Sequence, residues 1–258
     1  MEEWRRCWEG NARAWTTLAR AGYDVYRDHH NTPAFFEMLP DVAGLNGIDI
    51  GCGEGYNTRL LAARGALVTA VDFASEFVRV AVAERVDGIR YAVADALRLP
   101  FADGSFDFAT AFMSLMDVAG PERVLPEVAR VLRPGGFLQF SIVHPCFAPL
   151  QRRVVKDSAG KPLAIEVARY FDRADGEVER WIFSAAPADA KAGLPLFEVP
   201  RFHRPLSEWL NAIDDAGFRV EQCVEPRADD ETAARYPMLA DTQIAPNFIL
   251  FRCRLTRR

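Results

Sequence analysis

The sequence predicts an α/β protein built on a parallel sheet with helices on both faces. Three observations carry this expectation. Short β-rich runs alternate with helical ones from Asn46 onward. The strand end Ile48–Ile50 breaks into three alternate glycines, Gly51, Gly53 and Gly55, ahead of a helix-like segment, so the backbone turns sharply and can pass close to a ligand. Pro134-Gly135-Gly136 stops a helical stretch and turns the chain into another strand.

Taken in order, residues 2–21 carry a loose apolar stripe, Trp4, Trp8, Trp15 and Leu18, at helical spacing, which predicts a covering helix. Gly22 to Asn31 is polar and aromatic, and Thr32-Pro33 reads as a cap and first-turn proline for a short helix ending near Pro40. Strands follow near 46–50, 67–71, 89–93, 106–111 and 137–143, with helices near 56–64, 75–86, 120–132 and 206–216. Right-handed crossovers join parallel strands. Runs 218–224 and 247–255 complete seven strands, and with no internal repeat or low-complexity linker the chain reads as a single domain over 1–258. Within it, 1–43 is expected to form an N-terminal helical cover.

Two long pieces, 144–205 and 226–246, interrupt the alternation. Loops leaving the C-terminal ends of strands lie on the ligand edge of such a sheet. The first is therefore expected as a lid insertion, against the alternative of an ornamental subdomain. The second is expected as a further loop on the same edge if the sixth strand is parallel.

Composition narrows the class. Half of the 258 residues are hydrophobic, ample for a core, and the formal charge of -5 leaves no general footprint for nucleic acid or an anionic membrane. Five scattered cysteines without a CxxC pair point to a reducing compartment and argue against a zinc site. The first residues lack the apolar core of a signal peptide and no run reaches membrane-spanning length, so a cytoplasmic protein without a membrane partner is expected.

Three features follow the glycines. Asp72 ends the second strand, roughly twenty residues on, where a carboxylate can accept hydrogen bonds from both hydroxyls of a ribose. Asp95 follows the third strand, where it and adjacent amides can read an adenine edge. Leu132-Arg-Pro-Gly-Gly-Phe137 then leads into the fifth strand.

In Ile48-Asp-Ile-Gly-Cys-Gly-Glu-Gly55, Val71-Asp-Phe73, Asp95, Leu99-Pro-Phe-Ala-Asp-Gly-Ser-Phe-Asp107 and Val131-Leu-Arg-Pro-Gly-Gly136, the chain resembles the class I S-adenosylmethionine-dependent methyltransferases, particularly the small-molecule branch called type 11. The resemblance covers about 44–145, and Arg204 to Phe218 matches a later helix and strand entry. It implies a Rossmann-like seven-stranded sheet of order 3-2-1-4-5-7-6, the last strand antiparallel, and S-adenosyl-L-methionine as cofactor. Carried over by position, Gly51 and Gly53 would line its methionine part with Cys52 and Asn57 nearby. Asp72 would hold the ribose, Phe73 would pack on the adenine, and Asp95 with Ala96 would meet its amino edge. Phe112 and Met113 would approach the sulfonium. The segment before the loop closes over the cofactor in related enzymes, making Tyr26, Arg27 and Asn31 candidates for its carboxylate or for covering the substrate. Asp49 is a further candidate anchor, and Cys52 is otherwise a small buried residue.

A nicotinamide-dependent dehydrogenase shares the glycine loop and the ribose-binding acid, but the third glycine of its fingerprint is replaced by Tyr56. The other alternative is a cofactor-binding module on the same fold that transfers no methyl group. Amino methyltransferases of nucleic acids carry an Asn/Asp-Pro-Pro-aromatic motif where this chain has Ala111-Phe-Met-Ser114, which demotes that class. A small-molecule acceptor at oxygen, nitrogen or carbon is expected, with a protein or peptide substrate as the alternative, since lids can admit side chains. A hydroxyl or carbon acid needs its proton removed. His144, at the end of the fifth strand, is the first candidate base and His30 the second, the alternative for each being a histidine that ties a loop to the backbone. His203 closes the first insertion. The insertion's aromatics, Tyr170, Phe171, Trp181, Phe183, Phe197 and Phe202, either wall a substrate or form its own small core.

Overall fold

The structure is a computed structural model in which residues 2–84 and 86–256 are described, Pro121 by its backbone alone. The expected single domain over 1–258 and the N-terminal cover over 1–43 thus include positions outside the described residues, as does the expected helix over 75–86 at Arg85. Among the described residues the strands are β1 (Asn46–Ile50), β2 (Leu67–Asp72), β3 (Ile89–Val93), β4 (Phe106–Phe112), β5 (Leu132–Val143), β6 (Gln151–Lys156), β7 (Pro162–Ala168), β8 (Glu177–Trp181), β9 (Phe197–Arg201), β10 (Phe218–Val224) and β11 (Phe248–Leu255). The helices are α1 (Glu2–Arg20), α2 (Thr32–Met38), α3 (Tyr56–Ala63), α4 (Ser75–Ala83), α5 (Val124–Val131), α6 (Ala188–Lys191), α7 (Leu206–Asp215) and α8 (Asp230–Arg235).

The central sheet has the order β10-β11-β5-β4-β1-β2-β3, and β11 runs antiparallel to both neighbours. Counted within this sheet, that is 3-2-1-4-5-7-6 with the last strand antiparallel, as expected. Strand periodicity sorts side chains to two faces: on β4, Phe108 packs with Phe36, Leu61 and Val68, whereas Ala109 and Ala111 join the cluster of α5 and α7. Fully burying a side chain such as Phe108 or Phe140 stabilises the fold by about 1.5–3 kcal/mol.

Three local expectations are corrected. β5 starts at Leu132 rather than 137, because Pro134-Gly135-Gly136 bulges out of the ladder: Phe106 pairs with Leu132 and Phe108 with Phe137. The helix expected over 120–132 opens as a 3-10 turn, Pro121–Arg123, before α5. Thr32 is not a cap, since a π-helical turn, Arg27–Asn31, runs directly into α2, and Thr32 Oγ1 donates to Asn57 instead. Pro33 explains the wide turn: its ring would collide with the carbonyl of His29 in a regular helix.

The insertion over 144–205 contains two antiparallel pairs, β6–β7 and β8–β9. Its aromatic side chains share a core with α1: Trp15 packs against Trp181, Phe183 and Phe197, with ring centroids 4.8–5.4 Å apart. α1 bridges two parts of the molecule. Glu9 accepts hydrogen bonds from the Ser75 and Glu76 amides and so caps α4, where the helix supplies no side-chain cap of its own. Two residues on, Asn11 exchanges hydrogen bonds with the backbone of Glu198 on β9. No described helix is long and apolar enough to cross a membrane.

Candidate functional site

β1 delivers the glycine loop to the carboxyl edge of the sheet. Gly51 and Gly53 lie at φ 70° and 53°, a region an L side chain enters only under strain. A Cβ on Gly51 would stand 2.4 Å from Cβ of Ser114, just past β4. Ser114 Oγ donates to the Ile50 carbonyl at 2.6 Å, while Gly51 and Cys52 N–H donate to the Val71 carbonyl. Beneath the loop, Asp49 accepts from Thr58 and Thr110, joining β1 to α3 and β4. Burial raises the Asp49 carboxyl above its ordinary range, and those hydroxyls oppose the shift.

Asp72 closes the loop from the other side. Its two oxygens accept from Gly53 N–H at 2.8 Å and Ala74 N–H at 2.9 Å. Burial pushes the carboxyl up to about 6 against the pull of those amides. Each oxygen retains a second lone pair for a ligand hydroxyl.

These residues border a cavity of about 660 Å³. Gly51, Cys52, Gly53 and Asn57 border it from the loop and α3, and Asp72, Phe73, Asp95 and Ala96 from the ends of β2 and β3. Phe112 and Met113 border it past β4, and Tyr26, Arg27 and Asn31 from the N-terminal side. Met113 holds φ 51°, unusual for its residue type, with its N–H on Ser141. Burial pushes the Cys52 thiol well above its ordinary value. Arg27 is engaged already: Nε donates to Asp28 at 2.7 Å, its terminal nitrogens to Glu54 and the Ala19 carbonyl, and its guanidinium lies 4.0 Å from the Tyr56 ring centroid. Arg5 occupies one side of Phe73, 4.3 Å from its ring centroid.

The histidines do not reach this space. His144 is 2% exposed, lies 2.7 Å by Nε2 from Glu225, and accepts from the Cys146 N–H through Nδ1. His30 is buried beside Phe248, and His203 meets the Tyr170 carbonyl at 2.8 Å. Burial lowers the pKa of all three. Among the described residues bordering the cavity there is no histidine, so the geometry offers neither His144 nor His30 as a base facing a substrate there.

Trp4, Trp8 and Trp15 of α1 border the cavity, as do Glu179, Trp181, Phe183, Val199 and Arg201 of the insertion and Met238 of the second loop. Tyr170, Phe171 and Phe202 do not, and Phe171 is 83% exposed. Sequence reasoning missed Asp24 and Asp117. Burial pushes Asp24 up to about 6 and Asp117 up to about 7, the nearby Arg27 and Arg201 respectively pulling the other way. A signal for Asp117 existed: it is the acid nearest the end of β4, in Met113-Ser-Leu-Met-Asp117, on the ligand edge.

Known proteins resemble this chain in sequence and in fold. The family profile described as "Methyltransferase domain" matches residues 48–140. A demethylmenaquinone methyltransferase of Renibacterium salmoninarum is 38% identical over 113 residues, covering 43% of this chain. The matched part is 46% of that relative, so the chain spans about half the length of the curated relative it matches. The crystal structure of an S-adenosylmethionine-dependent methyltransferase from Mesorhizobium loti superposes with a TM-score of 0.69 at 30% identity, over 86% of this chain and 96% of that one. The chain belongs to the S-adenosylmethionine-dependent methyltransferases. A putative member from Listeria monocytogenes shares the fold of this methyltransferase chain with a TM-score of 0.71 at 20% identity, over 88% and 97% of the two chains. The family match covers the loop, Asp72 and Asp95, and ends within β5, before the insertion that supplies Glu179, Trp181 and Arg201.

Proposed function

We propose that this protein transfers a methyl group from S-adenosyl-L-methionine to an oxygen, nitrogen or carbon of a small molecule, leaving S-adenosyl-L-homocysteine. The observation that carries the reading is the convergence of Gly53, Asp72, Asp95 and Met113, ends of separate strands, on one cavity of about 660 Å³. The residues present fit the cofactor. Asp72 keeps acceptor capacity for a ribose, Gly53 has no atom within 4 Å of where a Cβ would stand, and buried Asn31 borders the cavity with Oδ1 lacking a donor. In this reading Asp95 and Ala96 meet the adenine edge, Phe73 flanks the ring, and Tyr26, Arg27, Cys52, Asn57 and Phe112 complete the enclosure.

The bound cofactor supplies an electrophilic methyl group on a sulfonium. The chain's own residues hold the acceptor in line with that methyl group and keep water out, and such orientation supplies up to roughly 7–11 kcal/mol. Residues 1–43 serve as a cover, 144–205 as the lid and 226–246 as a second loop, all within one working unit. The tryptophans of α1 and the face of Trp181 and Val199 favour an apolar or aromatic small molecule over nucleic acid. The five unpaired cysteines suit a reducing, cytoplasmic setting. Tyr56, lying under Arg27, speaks against the dinucleotide loop of a dehydrogenase.

Calorimetric titration with S-adenosylmethionine, followed by detection of S-adenosylhomocysteine after incubation with a metabolite extract, tests the proposal. Binding together with product formation is expected. Binding without turnover across a broad extract would favour the rival, a cofactor-binding module on this fold.

A further inference from the structure

Nearly every acid bordering the cavity is committed to a partner. Asp24 accepts from the Arg27 N–H, Asp49 from Thr58 and Thr110, and Glu54 from Arg20, Arg27 and Arg59. Asp72 accepts from Gly53 and Ala74, Asp95 from the Leu97 N–H, and Glu179 from Arg201 at 2.6 Å. Asp117 is the exception: among the described residues none donates a hydrogen bond or forms an ion pair to its carboxylate, although it borders the same cavity.

Its position is set by the cofactor loop. The 3-10 turn Leu115–Asp117 springs from Ser114, the residue packed over Gly51, and the Asp117 N–H donates to the Ser114 carbonyl at 3.0 Å. One turn of such a helix rises about 6 Å, so the carboxylate stands a short step beyond the loop. Strand alternation puts Glu179 and Trp181 on one face of β8, with Val199 and Arg201 presented alike from β9, and these four border the cavity. The charged groups facing Asp117 from this hairpin are therefore Arg201 and Glu179, already paired with each other. Met116 and Val118 flank Asp117 and also border the cavity.

We infer that Asp117 is the general base of the reaction and that the acceptor is an aromatic hydroxyl compound, its ring against the β8–β9 face and its O–H donated to the Asp117 carboxylate. The inference rests on the methyl transfer proposed above. An unpaired carboxylate beside an aliphatic amine would hold that amine protonated, without the lone pair the transfer needs, and an aromatic amine, neutral already, needs no base, whereas a hydroxyl gains from losing its proton. The acceptor oxygen bonds to the methyl carbon as the carbon–sulfur bond breaks with its electron pair left on sulfur. The hydroxyl proton passes to Asp117 and then to solvent as product leaves. Burial, which holds this carboxyl near 7, matches it to proton transfer at neutral pH.

Asp117→Asn tests the assignment, with Asp117→Ser as companion should the amide fail to fold. The probes are a panel of simple phenols and naphthols, a matched panel of aromatic amines, and 4-nitrophenol. With phenols at neutral pH, kcat/KM is expected to fall about 10²–10⁴-fold in the variant, and the loss to shrink as pH rises toward the phenol's own ionisation. Affinity for S-adenosylhomocysteine should stay within about twofold, as for any residue that is no cofactor contact. Independently of turnover, 4-nitrophenol bound to the S-adenosylhomocysteine complex should ionise at lower pH in the variant, by about 1 unit or more, because a neighbouring negative charge is gone.

A variant with wild-type kcat/KM and an unshifted nitrophenol titration overturns the base assignment while methyl transfer stands. So does one whose S-adenosylhomocysteine affinity collapses, which would make Asp117 a cofactor contact. Wild-type enzyme that binds the cofactor yet turns over no phenol or naphthol overturns the acceptor class, whether or not it accepts amines. Wild-type protein that does not bind S-adenosylmethionine sinks the proposed function itself.

Discussion

Asn11 and Glu198 exchange two hydrogen bonds of 2.8 Å, the Asn11 amide donating to the Glu198 carbonyl and accepting from its N–H. A side chain on α1 thereby imitates a neighbouring strand along the edge of β9 and ties the N-terminal helix to the insertion. Asn11→Ala is expected to lower stability by about 1–3 kcal/mol in denaturant unfolding, since a buried pair of polar groups loses its partners. Hydrogen exchange at the Glu198 amide should accelerate, and cofactor affinity should weaken as the cavity wall loosens. Unchanged exchange there would show that β9 needs no such brace.

The two glycines at the loop should respond differently to alanine. At Gly51 the new methyl group meets both Ser114 and an unfavourable φ, so Gly51→Ala should cost about 2–4 kcal/mol and more than tenfold in S-adenosylmethionine affinity. At Gly53 the space is open in the free protein, so stability loses only the backbone strain of about 1–2 kcal/mol, while the new methyl group enters the space proposed for the cofactor and affinity falls as well. Thermal denaturation of both variants provides the comparison, and equal losses of stability would contradict it.

Asp72 sets the direction of the pH dependence of binding. Its carboxyl sits near 6 in the free protein, and ligand hydroxyls favour the ionised form, so binding should draw the pKa down and release protons near pH 6. Affinity is expected to fall as pH drops below about 6. Titrations in two buffers of different ionisation enthalpy would count the protons. In Asp72→Asn the amide N–H₂ or C=O faces backbone N–H groups that both need acceptors, so affinity should drop at least tenfold and this proton release should disappear. Asp24, also near 6 and on the cavity wall, adds release that survives the substitution if it too senses the ligand.

Asp241 gathers the segments above the cavity. It accepts from Arg152 at 2.6 Å, from Asn247 at 3.3 Å and from the Tyr26 hydroxyl at 3.4 Å, joining β6, the second loop and the helical segment before α2. Arg152→Met keeps the stem and removes the charge, leaving a nearly buried carboxylate short of its cation. A loss of about 1–3 kcal/mol is expected, with faster proteolysis in the β6–β7 hairpin as the specific sign. A variant as resistant as wild type would show that the hairpin is held by its packing.

Strand positions were legible because a period of two and glycine or proline at the ends are local signals: β1, β3 and β10 match their expected bounds residue for residue. The Pro134-Gly135-Gly136 stretch shows the limit of that logic, since a turn-forming sequence continues a strand when a partner ladder lies beside it. The glycine loop, Asp72 and Asp95 were legible for the same local reason, each following a strand at a characteristic spacing. His144 was placed correctly at the end of β5, but which way its ring turns depends on Glu225, a residue 81 positions away.

By itself, then, the sequence determined the alternating architecture, the order in which strands deliver the loop and the acids to one edge, and the family those residues resemble. Tertiary structure alone decided that Asn11 completes β9 across 187 residues, that Glu9 caps α4 across 66, and that the Asp117 carboxylate has no hydrogen-bond or ion-pair partner among the described residues at the cavity wall. Backbone periodicity is written into neighbouring residues. Whether a buried polar group finds a partner is decided by segments that meet only when the chain has folded.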